Sequence, residues 1–534
     1  MAEGEDIQFD GVVVGAGFAG MYLLHFLRGR GLRVRVIERG QGVGGTWYWN
    51  RYPGARCDVE SMEYSYQFDE DLQQEWDWSE RYAPQPEILA YANHVAARFD
   101  LRRDIEFGVE VLGARYDEAT ALWSIRTSDG RSTRAKYFIM ATGCLSSANM
   151  PQIAGLESFE GRIFHTGQWP HEKVDFSGRR VAVIGTGSSA IQSIPLIAEE
   201  AAHLTVFQRT ANYAVPAHNG GVDPKLRDAI KAEYPAFRAR ARKVRNGIHY
   251  EIRDEATFSV PEAERQREYE MRWDRGGLSF AGSFNDVILS SEANESIAEF
   301  VRGKIREKVD DPDIAELLCP QSVLGCKRMC VDIGYFETYN RDNVTLVDIR
   351  ESGIECIKPD GVRANGTLHV VDDIVCATGF DAMTGALTRV DIRGRDGKGL
   401  KEKWAEGPRT YLGVATAGFP NFFMVTGPGS PSVLTNMLPT IEQHVELISE
   451  FICSAQKQGL ASVEAEPEAE DAWVAHVNEI AGRTLFPTCN SWYLGANVPG
   501  KPRVFMPYPG FPAYVEKCDD MVRDGYRGFR LTEG

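Results

Sequence analysis

Two copies of one pattern predict an α/β chain: an apolar strand, a glycine turn, a helix and a second strand, with two further strands that each end in Ala-Thr-Gly. Each copy reads as a Rossmann-like dinucleotide-binding module, and a charged helical tract interrupts the second. At 534 residues the chain is too long for one core and suggests two to four domains. The expected division is 1–145 and 381–534 for the first module, 146–216 and 326–380 for the second, and 217–325 for a helical insertion. A hydrophobic share of 43% and a charged share of 25% are ordinary for a globular protein. The formal net charge of −17 argues against nucleic acid or an anionic membrane as partner, because both demand a basic surface. No apolar run approaches the roughly 20 residues that span a bilayer, and the start MAEGEDIQFD is too acidic for a secretory signal. The ten cysteines are scattered, with Cys326 and Cys330 the nearest pair and Cys319 close by. Neither a metal nor a disulfide is expected from that spacing, and a cytoplasmic chain with reduced thiols fits it.

The first module begins with the strand Val12-Val13-Val14, which runs into Gly15-Ala16-Gly17-Phe18-Ala19-Gly20. Met21, Leu23, Leu24, Phe26 and Leu27 then recur at helical spacing, Gly31 marks a turn, and the strand Val34–Ile37 ends at Glu38. The glycines permit a tight turn and bring the backbone close to a pyrophosphate, which sits at the positive end of the helix. Glu38 lies 18 residues beyond Gly20, where a carboxylate binds two ribose hydroxyls. An acid there repels a 2′-phosphate, so this site suits FAD or NAD and not NADP. Gly44-Gly45 followed by Thr46-Trp47-Tyr48-Trp49 is typical of flavoproteins, and the aromatic run suits the wall of a flavin ring. Asp58 closely follows, and reads equally as a surface carboxylate or as part of the site.

Residues 88–140 read as a helix, Ile88 to Phe99, followed by short strands joined by hairpin turns and ending in Ala141-Thr142-Gly143. The same ending recurs at Ala377-Thr378-Gly379. The second module spans 179–210: the strand Val181–Ile184, the turn Gly185-Thr186-Gly187-Ser188-Ser189-Ala190, a helix to about Ala202, and the strand Leu204–Gln208. Alanine replaces the third glycine, as the motif permits. Arg209 at the strand end reverses the logic of Glu38, since a guanidinium pairs with a 2′-phosphate, and assigns this site to NADP. Between the modules lies FEGRIFHTGQWP, Phe159–Pro170, placed to couple the two. His165 within it reads as a hydrogen-bonded hinge and not as an acid–base group.

Helical periodicity at 224–244 and 294–310 marks the insertion, and its charge runs read as solvated faces. Gly325-Cys326-Lys327-Arg328 is a compact basic patch at the return to the second module. The remainder holds the loop Gly427–Ser432, then Val433–Met437, a long helix from about Ile441, an acidic patch at 464–471, and Trp492. The polar stretch Gly495–Lys501 reads either as a flap over a ligand or as inert surface coil.

A disulfide reductase would carry a Cys-x4-Cys pair soon after the paired glycines, and the stretch from Gly45 to Asp58 offers only Cys57. A hydride shuttle to a quinone and the activation of O2 remain. Here the linking segment carries a resemblance: Phe159-x-Gly161-x3-His165-x3-Trp169-Pro170 is similar, without mismatch, to the fingerprint of the type I Baeyer–Villiger monooxygenases. The likeness covers nearly the whole chain, including GGTWYWNRYPGARCD, both Ala-Thr-Gly strands, the Cys-Lys-Arg patch and GANVPGKPR. Within the family it is greatest to members acting on phenylacetone, then on cyclohexanone and steroids. Val433 and Cys144 depart from the phenylacetone pattern beside the pocket, which leaves the ketone preference open.

The resemblance implies a two-dinucleotide-binding flavoprotein that uses FAD and NADPH to insert one oxygen atom of O2 beside a ketone carbonyl. Cyclic, aryl-aliphatic or aliphatic ketones would give an ester or lactone through a flavin C4a-peroxide and a Criegee adduct. It implies Arg328 as the cation for those anionic intermediates, with Asp58 orienting it. Phe18, Gly45, Thr46, Trp47, Trp49, Tyr64, Val111 and Met437 would join Gly15, Gly17, Gly20 and Glu38 around FAD. Gln192, Lys327, Thr210 and Trp492 would join Thr186, Gly187, Ser188, Ser189 and Arg209 around NADP. Leu145, Ser432, Val433, Leu434 and Met437 would form an apolar ketone pocket. No metal is implied, and the chain would act as a monomer or weak dimer. An N- or S-oxygenating flavin monooxygenase stays open as the alternative.

Overall fold

The computed structural model describes residues 8–534. Two sheets organise it, the first mixed and the second wholly parallel. In the first, the strands Gln8–Val14, Val34–Glu38 and Ile105–Phe107 lie side by side in parallel. Ser132–Met140 flanks Gln8–Val14 on the other side, also parallel. The hairpin strands Val111–Asp117 and Leu122–Thr127 extend that edge. Two late strands complete the sheet, Asp391–Arg393 beside Val111–Asp117 and Phe422–Met424 beside Ser132–Met140. The second sheet has five strands, in the spatial order Val344–Asp348, His203–Gln208, Arg180–Ile184, Asp373–Cys376, Arg162–His165. All of its strands pair in parallel.

The two glycine turns share one geometry. Gly15 N–H bonds Ile37 O at 2.9 Å and Ala141 N–H bonds Val14 O at 2.9 Å. In the second module Gly185 N–H bonds Phe207 O at 3.1 Å and Ala377 N–H bonds Ile184 O at 2.9 Å. A Cβ on Gly15 would lie 2.8 Å from Ala141 O, and one on Gly185 2.6 Å from Ala377 O. The alanine carbonyl of each Ala-Thr-Gly strand therefore abuts the first glycine of its module, which explains why the two motifs travel together. The third positions differ. A Cβ on Gly20 would lie 1.8 Å from Gly15 O, whereas Ala190 is accommodated and fully buried.

Phe159–Pro170 forms an edge strand and the turn that follows it. Arg162–His165 pairs with Asp373–Cys376. Trp169 is buried against Phe164, ring centroids 5.2 Å apart, and against Phe176. A Cβ on Gly161 would meet Asp372 O at 2.2 Å and the Phe159 ring at 2.6 Å. Gly161→Ala is therefore expected to cost about 1–3 kcal/mol, read as a lower Tm, with no change in the products of the enzyme that stays folded.

The insertion leaves and re-enters the second module at neighbouring strands, since Ala214–Pro216 pairs in parallel with Cys330–Asp332. The tract at 224–244 is two helices, Pro224–Ala232 and Tyr234–Arg242, broken where Pro235 opens the second. The later tract is the helix Ser291–Lys308, capped by the Ser290 side chain. Its charges are not all solvated as expected. Arg238 is 5% exposed and reaches Glu63 O at 2.9 Å and Ser65 Oγ at 2.6 Å. Arg302 is likewise buried and donates to Pro320 O. The Arg238 guanidinium docks the insertion onto the first module, and Arg302 ties the insertion's own elements together, which helical periodicity alone does not reveal.

Three further expectations change. The long helix starts at Met437, with Asn436 as its cap accepting from Leu438 N–H, four residues before Ile441. The acidic patch is folded: the strand Leu460–Ala465 precedes the helix Pro467–Gly482. Glu464 and Glu470 are both 2% exposed, and pair with Arg395 at 2.9 Å and Lys403 at 2.7 Å. Cys326 and Cys489, 163 residues apart in sequence, sit with Cα atoms 5.9 Å apart, the span of a disulfide, where no pairing is expected from their spacing. Only the tertiary fold brings this pair together, so spacing along the chain gives no warning of it.

Candidate functional site

The first nucleotide cradle is built by the helix Phe18–Gly29, whose N-cap is Gly17. Its N-terminus carries the unpaired amides and partial positive charge that suit a pyrophosphate. Glu38, buried at the end of its strand, turns its carboxylate back onto that turn and accepts Ala16 N–H at 2.7 Å and Gly40 N–H at 2.6 Å. Gly45 packs on Gly17, and a Cβ on Gly45 would lie 2.9 Å from Gly17 Cα. Thr46 opens a short helix, Thr46–Trp49. Trp47 is buried and donates to Tyr64 Oη at 3.1 Å. Burial pushes the Tyr64 phenol well above its ordinary pKa, so the hydroxyl stays protonated. Trp49 lies further out under the Arg39 guanidinium. Val111 is buried in the cluster that holds Val12, Ile37 and Val109. Open glycine backbone, helix N-terminus and strand-end carboxylate together fit a dinucleotide without a 2′-phosphate.

The second cradle is the helix Ser188–Glu200, with Gly187 as N-cap and no atom within 4 Å of a Cβ placed on it. Thr186 Oγ1 donates to Thr210 O at 2.7 Å, tying the turn to the end of the next strand. Arg209 and Thr210 are exposed there. Burial lowers the Lys327 ammonium below its ordinary pKa, and the neighbouring Arg209 charge lowers it further. Neither cation has a carboxylate partner among the described residues. Two adjacent cations without a counter-charge fit a phosphate.

Ser189 and Gln192 face the other way. Ser189 Oγ lies 3.1 Å from Thr166 Oγ1 in the linking segment. Gln192 Oε1 accepts Tyr52 Oη–H at 2.8 Å, and its Nε2 donates to Arg56 O at 3.1 Å. Its amide thus binds the second module's helix to the loop that carries Asp58. His165 accepts Gly167 N–H on Nδ1 at 3.0 Å, which leaves the proton on Nε2, 3.3 Å from Thr378 Oγ1. Burial lowers its pKa, and the ring is held by hydrogen bonds at both nitrogens.

Arg328 and Asp58, 270 residues apart, meet between these cradles. Arg328 Nε and Nη2 both donate to the Asp58 carboxylate, the second at 3.0 Å. Nη1 donates to Val433 O at 2.8 Å and Thr435 O at 3.2 Å. Burial opposes the guanidinium charge, but the Asp58 carboxylate more than offsets it and pushes the pKa above the ordinary arginine value. The result is a cation fixed in direction and never deprotonated.

Beside it lies one apolar cluster. Cys144, Val433, Tyr493, Leu494 and Met506 are buried in it, with Leu145, Leu434, Met437 and Trp492 packed against them. Every apolar pocket residue named from sequence is therefore in one place. Ser432, between them in the chain, is buried with a positive φ of 42° and no partner for its hydroxyl. Tyr493 and Met506 were missed, although Tyr493 follows Trp492 directly. The tail Gly495–Lys501 is anchored and is not inert coil. Asn497 Nδ2 donates to Phe380 O at 2.7 Å, and Lys501 Nζ reaches Asp381 Oδ1 and Ala382 O, each at 2.5 Å.

A sequence profile for the family described as pyridine nucleotide-disulphide oxidoreductase matches residues 12–263. A Baeyer–Villiger monooxygenase of Pseudooceanicola batsensis is 44% identical, covering 97% of this chain and 95% of its own. A phenazine N-monooxygenase of Lysobacter antibioticus is 41% identical, covering 99% and 98%. Among solved structures, an oxidized steroid monooxygenase bound to NADP matches with TM-score 0.94 at 50% identity, covering 99% of this chain and 100% of its own. OTEMO in complex with FAD and NADP matches with TM-score 0.95 at 38% identity, covering 99% and 100%. With two dinucleotide cradles, a half-buried arginine–aspartate pair between them and full-length relatives at this identity, the chain belongs to the Baeyer–Villiger monooxygenase family.

Proposed function

We propose that the protein uses FAD and NADPH to insert one oxygen atom of O2 beside a ketone carbonyl, giving an ester or lactone from a cyclic, aryl-aliphatic or aliphatic ketone. The observation that carries this reading is Arg328, locked on Asp58 at the edge of an apolar cluster between two nucleotide cradles. FAD, reduced by NADPH, supplies the oxygen chemistry when bound. Gly15, Gly17, Phe18 and Gly20 bind its pyrophosphate and Glu38 its ribose, with Gly45, Thr46, Trp47, Trp49, Tyr64, Val111 and Met437 around the rest. Thr186, Gly187 and Ser188 bind the NADP pyrophosphate, and Arg209, Thr210 and Lys327 the 2′-phosphate. Gln192 positions that helix against the first module, Ser189 positions it against the linking segment, and Trp492 covers the nicotinamide side.

Leu145, Ser432, Val433, Leu434 and Met437 receive the ketone and exclude water. As the carbonyl oxygen gains negative charge, Arg328 offers a fixed positive partner that needs no reorganisation. Asp58 holds the guanidinium in place and moves no proton. The boundaries 1–145 with 381–534, 146–216 with 326–380, and 217–325 are the domain division that goes with these roles. Among the described residues no helix is long and apolar enough to cross a membrane. The finer reading is a cytoplasmic monomer or weak dimer acting on a small-molecule ketone and O2.

The test is a panel of ketones with NADPH and O2, scored for esters and lactones by mass spectrometry. Ester or lactone from at least one ketone, at one NADPH per product, is expected. The 41% identity to an N-oxygenating relative supports a second reading, oxygen transfer to an aromatic ring nitrogen. N-oxide from phenazines with no ester from any ketone would replace the first reading by the second.

A further inference from the structure

We propose that Cys326 and Cys489 form a peroxide-sensitive modification site that tethers the Trp492 segment to the strand entry carrying Lys327 and Arg328. Of the ten cysteines this pair alone lies at bonding distance. The Cα separation of 5.9 Å is the usual span of a disulfide. Both partners are buried, at 2% and 9% exposure.

Their positions give the bond its consequence. Cys326 immediately precedes Lys327 and Arg328. Cys489 ends the short helix Phe486–Thr488 and lies three residues before Trp492. Between these two stretches the non-covalent links are thin. Leu485 N–H bonds Ile288 O at 2.8 Å, and the Phe486 ring would lie 3.6 Å from a Cβ on Gly325. The other anchors of the segment, Asn497 and Lys501, hold its far end to residues 380–382. The disulfide therefore fixes the near end, and with it the position of Trp492 and Tyr493 over the pocket. With thiols in its place, that end is held mainly by packing, and the segment can lift to exchange nucleotide and product.

The oxidant is hydrogen peroxide. One thiol sulfur attacks a peroxide oxygen, the O–O bond breaks, and a sulfenic acid and water form. The second thiol sulfur attacks that sulfur and expels a second water, so two thiols lose two electrons and two protons while one peroxide becomes two waters. Here alone the inference rests on the oxygenase reading. An enzyme that reduces O2 without delivering oxygen to a ketone releases hydrogen peroxide from the same molecule. Closing the tether under those conditions slows further NADPH consumption.

The holoenzyme is reduced with a phosphine, freed of reductant, and treated with one equivalent of hydrogen peroxide. Free thiols are alkylated and mapped by peptide mass spectrometry, and NADPH-dependent turnover is followed in parallel. The expected result is a 326–489 cross-linked peptide, a fall in kcat of about threefold or more, and recovery on re-reduction. Cys489→Ser should keep the reduced enzyme's kcat and lose the response to peroxide, and Cys326→Ser should do the same if Cys489→Ser fails to fold. The inference is overturned if both cysteines are alkylated after peroxide, if cross-linked and reduced enzyme share one kcat, or if Cys489→Ser responds as the unmodified chain does. NADPH oxidation with any acceptor reads this outcome, so failure of the ketone assignment remains distinguishable from failure of the tether.

Discussion

Arg328→Ala is expected to lower ester formation by about 10²–10³-fold or more while NADPH still reduces the bound flavin. In free energy that is about 2.7–4 kcal/mol of lost stabilisation of a developing oxyanion. The geometry explains why the two half-reactions should separate. Arg328 is spent on Asp58 and on the carbonyls of Val433 and Thr435, all at the pocket side, and not on either glycine turn. Removing it leaves Glu38 and the backbone of the first cradle intact. It also leaves the Asp58 carboxylate without its partner, a change that costs roughly 3–5 kcal/mol for a fully buried pair and less for this half-buried one. Thermal unfolding and flavin content must therefore be measured beside the rate. Folded, flavin-loaded Arg328→Ala that is reduced normally but makes no ester is the expected outcome. Near-normal ester formation by that variant would remove Arg328 from the reaction.

Arg209→Ala is expected to weaken NADPH by about 10–150-fold and to leave NADH nearly unchanged, as the loss of one charge-assisted hydrogen bond of about 1.5–3 kcal/mol requires. Arg209 is exposed, ends its strand beside Thr210, and lies near enough to Lys327 to depress its pKa. Lys327 without Arg209 should regain part of its ordinary basicity, so the variant retains one cation for the phosphate. The double substitution with Lys327→Ala should erase the remaining preference. Ratios of KM for the two nucleotides read this directly, and an equal loss for NADPH and NADH would detach Arg209 from the 2′-phosphate.

Local patterns proved informative where the chemistry is local. Gly15 to Glu38 and Gly185 to Arg209 could be assigned to turns, helices and strand ends because a dinucleotide site is made by about thirty consecutive residues. The link between each glycine turn and its Ala-Thr-Gly strand was visible only as recurrence. Its cause, the close approach of Ala141 O to Gly15 and of Ala377 O to Gly185, belongs to the folded sheet. Of the expected ketone-pocket residues, the apolar ones at 145, 433, 434 and 437 lie in one cluster, and Trp492, expected at NADP, packs against it as well. Tyr493 and Met506 escaped notice because an apolar residue in a coil segment has no periodic signal to show which way it faces.

The sequence by itself determined the two nucleotide modules, the opposite charges that end their second strands, and the family to which the linking segment points. These are encoded by short-range backbone requirements and by side chains at fixed offsets from a glycine turn. Tertiary structure alone decided that Arg328 meets Asp58, that Gln192 ties the second module to the loop bearing Asp58, that Glu464 and Glu470 are buried against cations, and that Cys326 lies against Cys489. Each of these contacts except the acidic pairs spans more than a hundred residues. No local preference specifies them, because they arise only where separately folded layers bury their faces against one another.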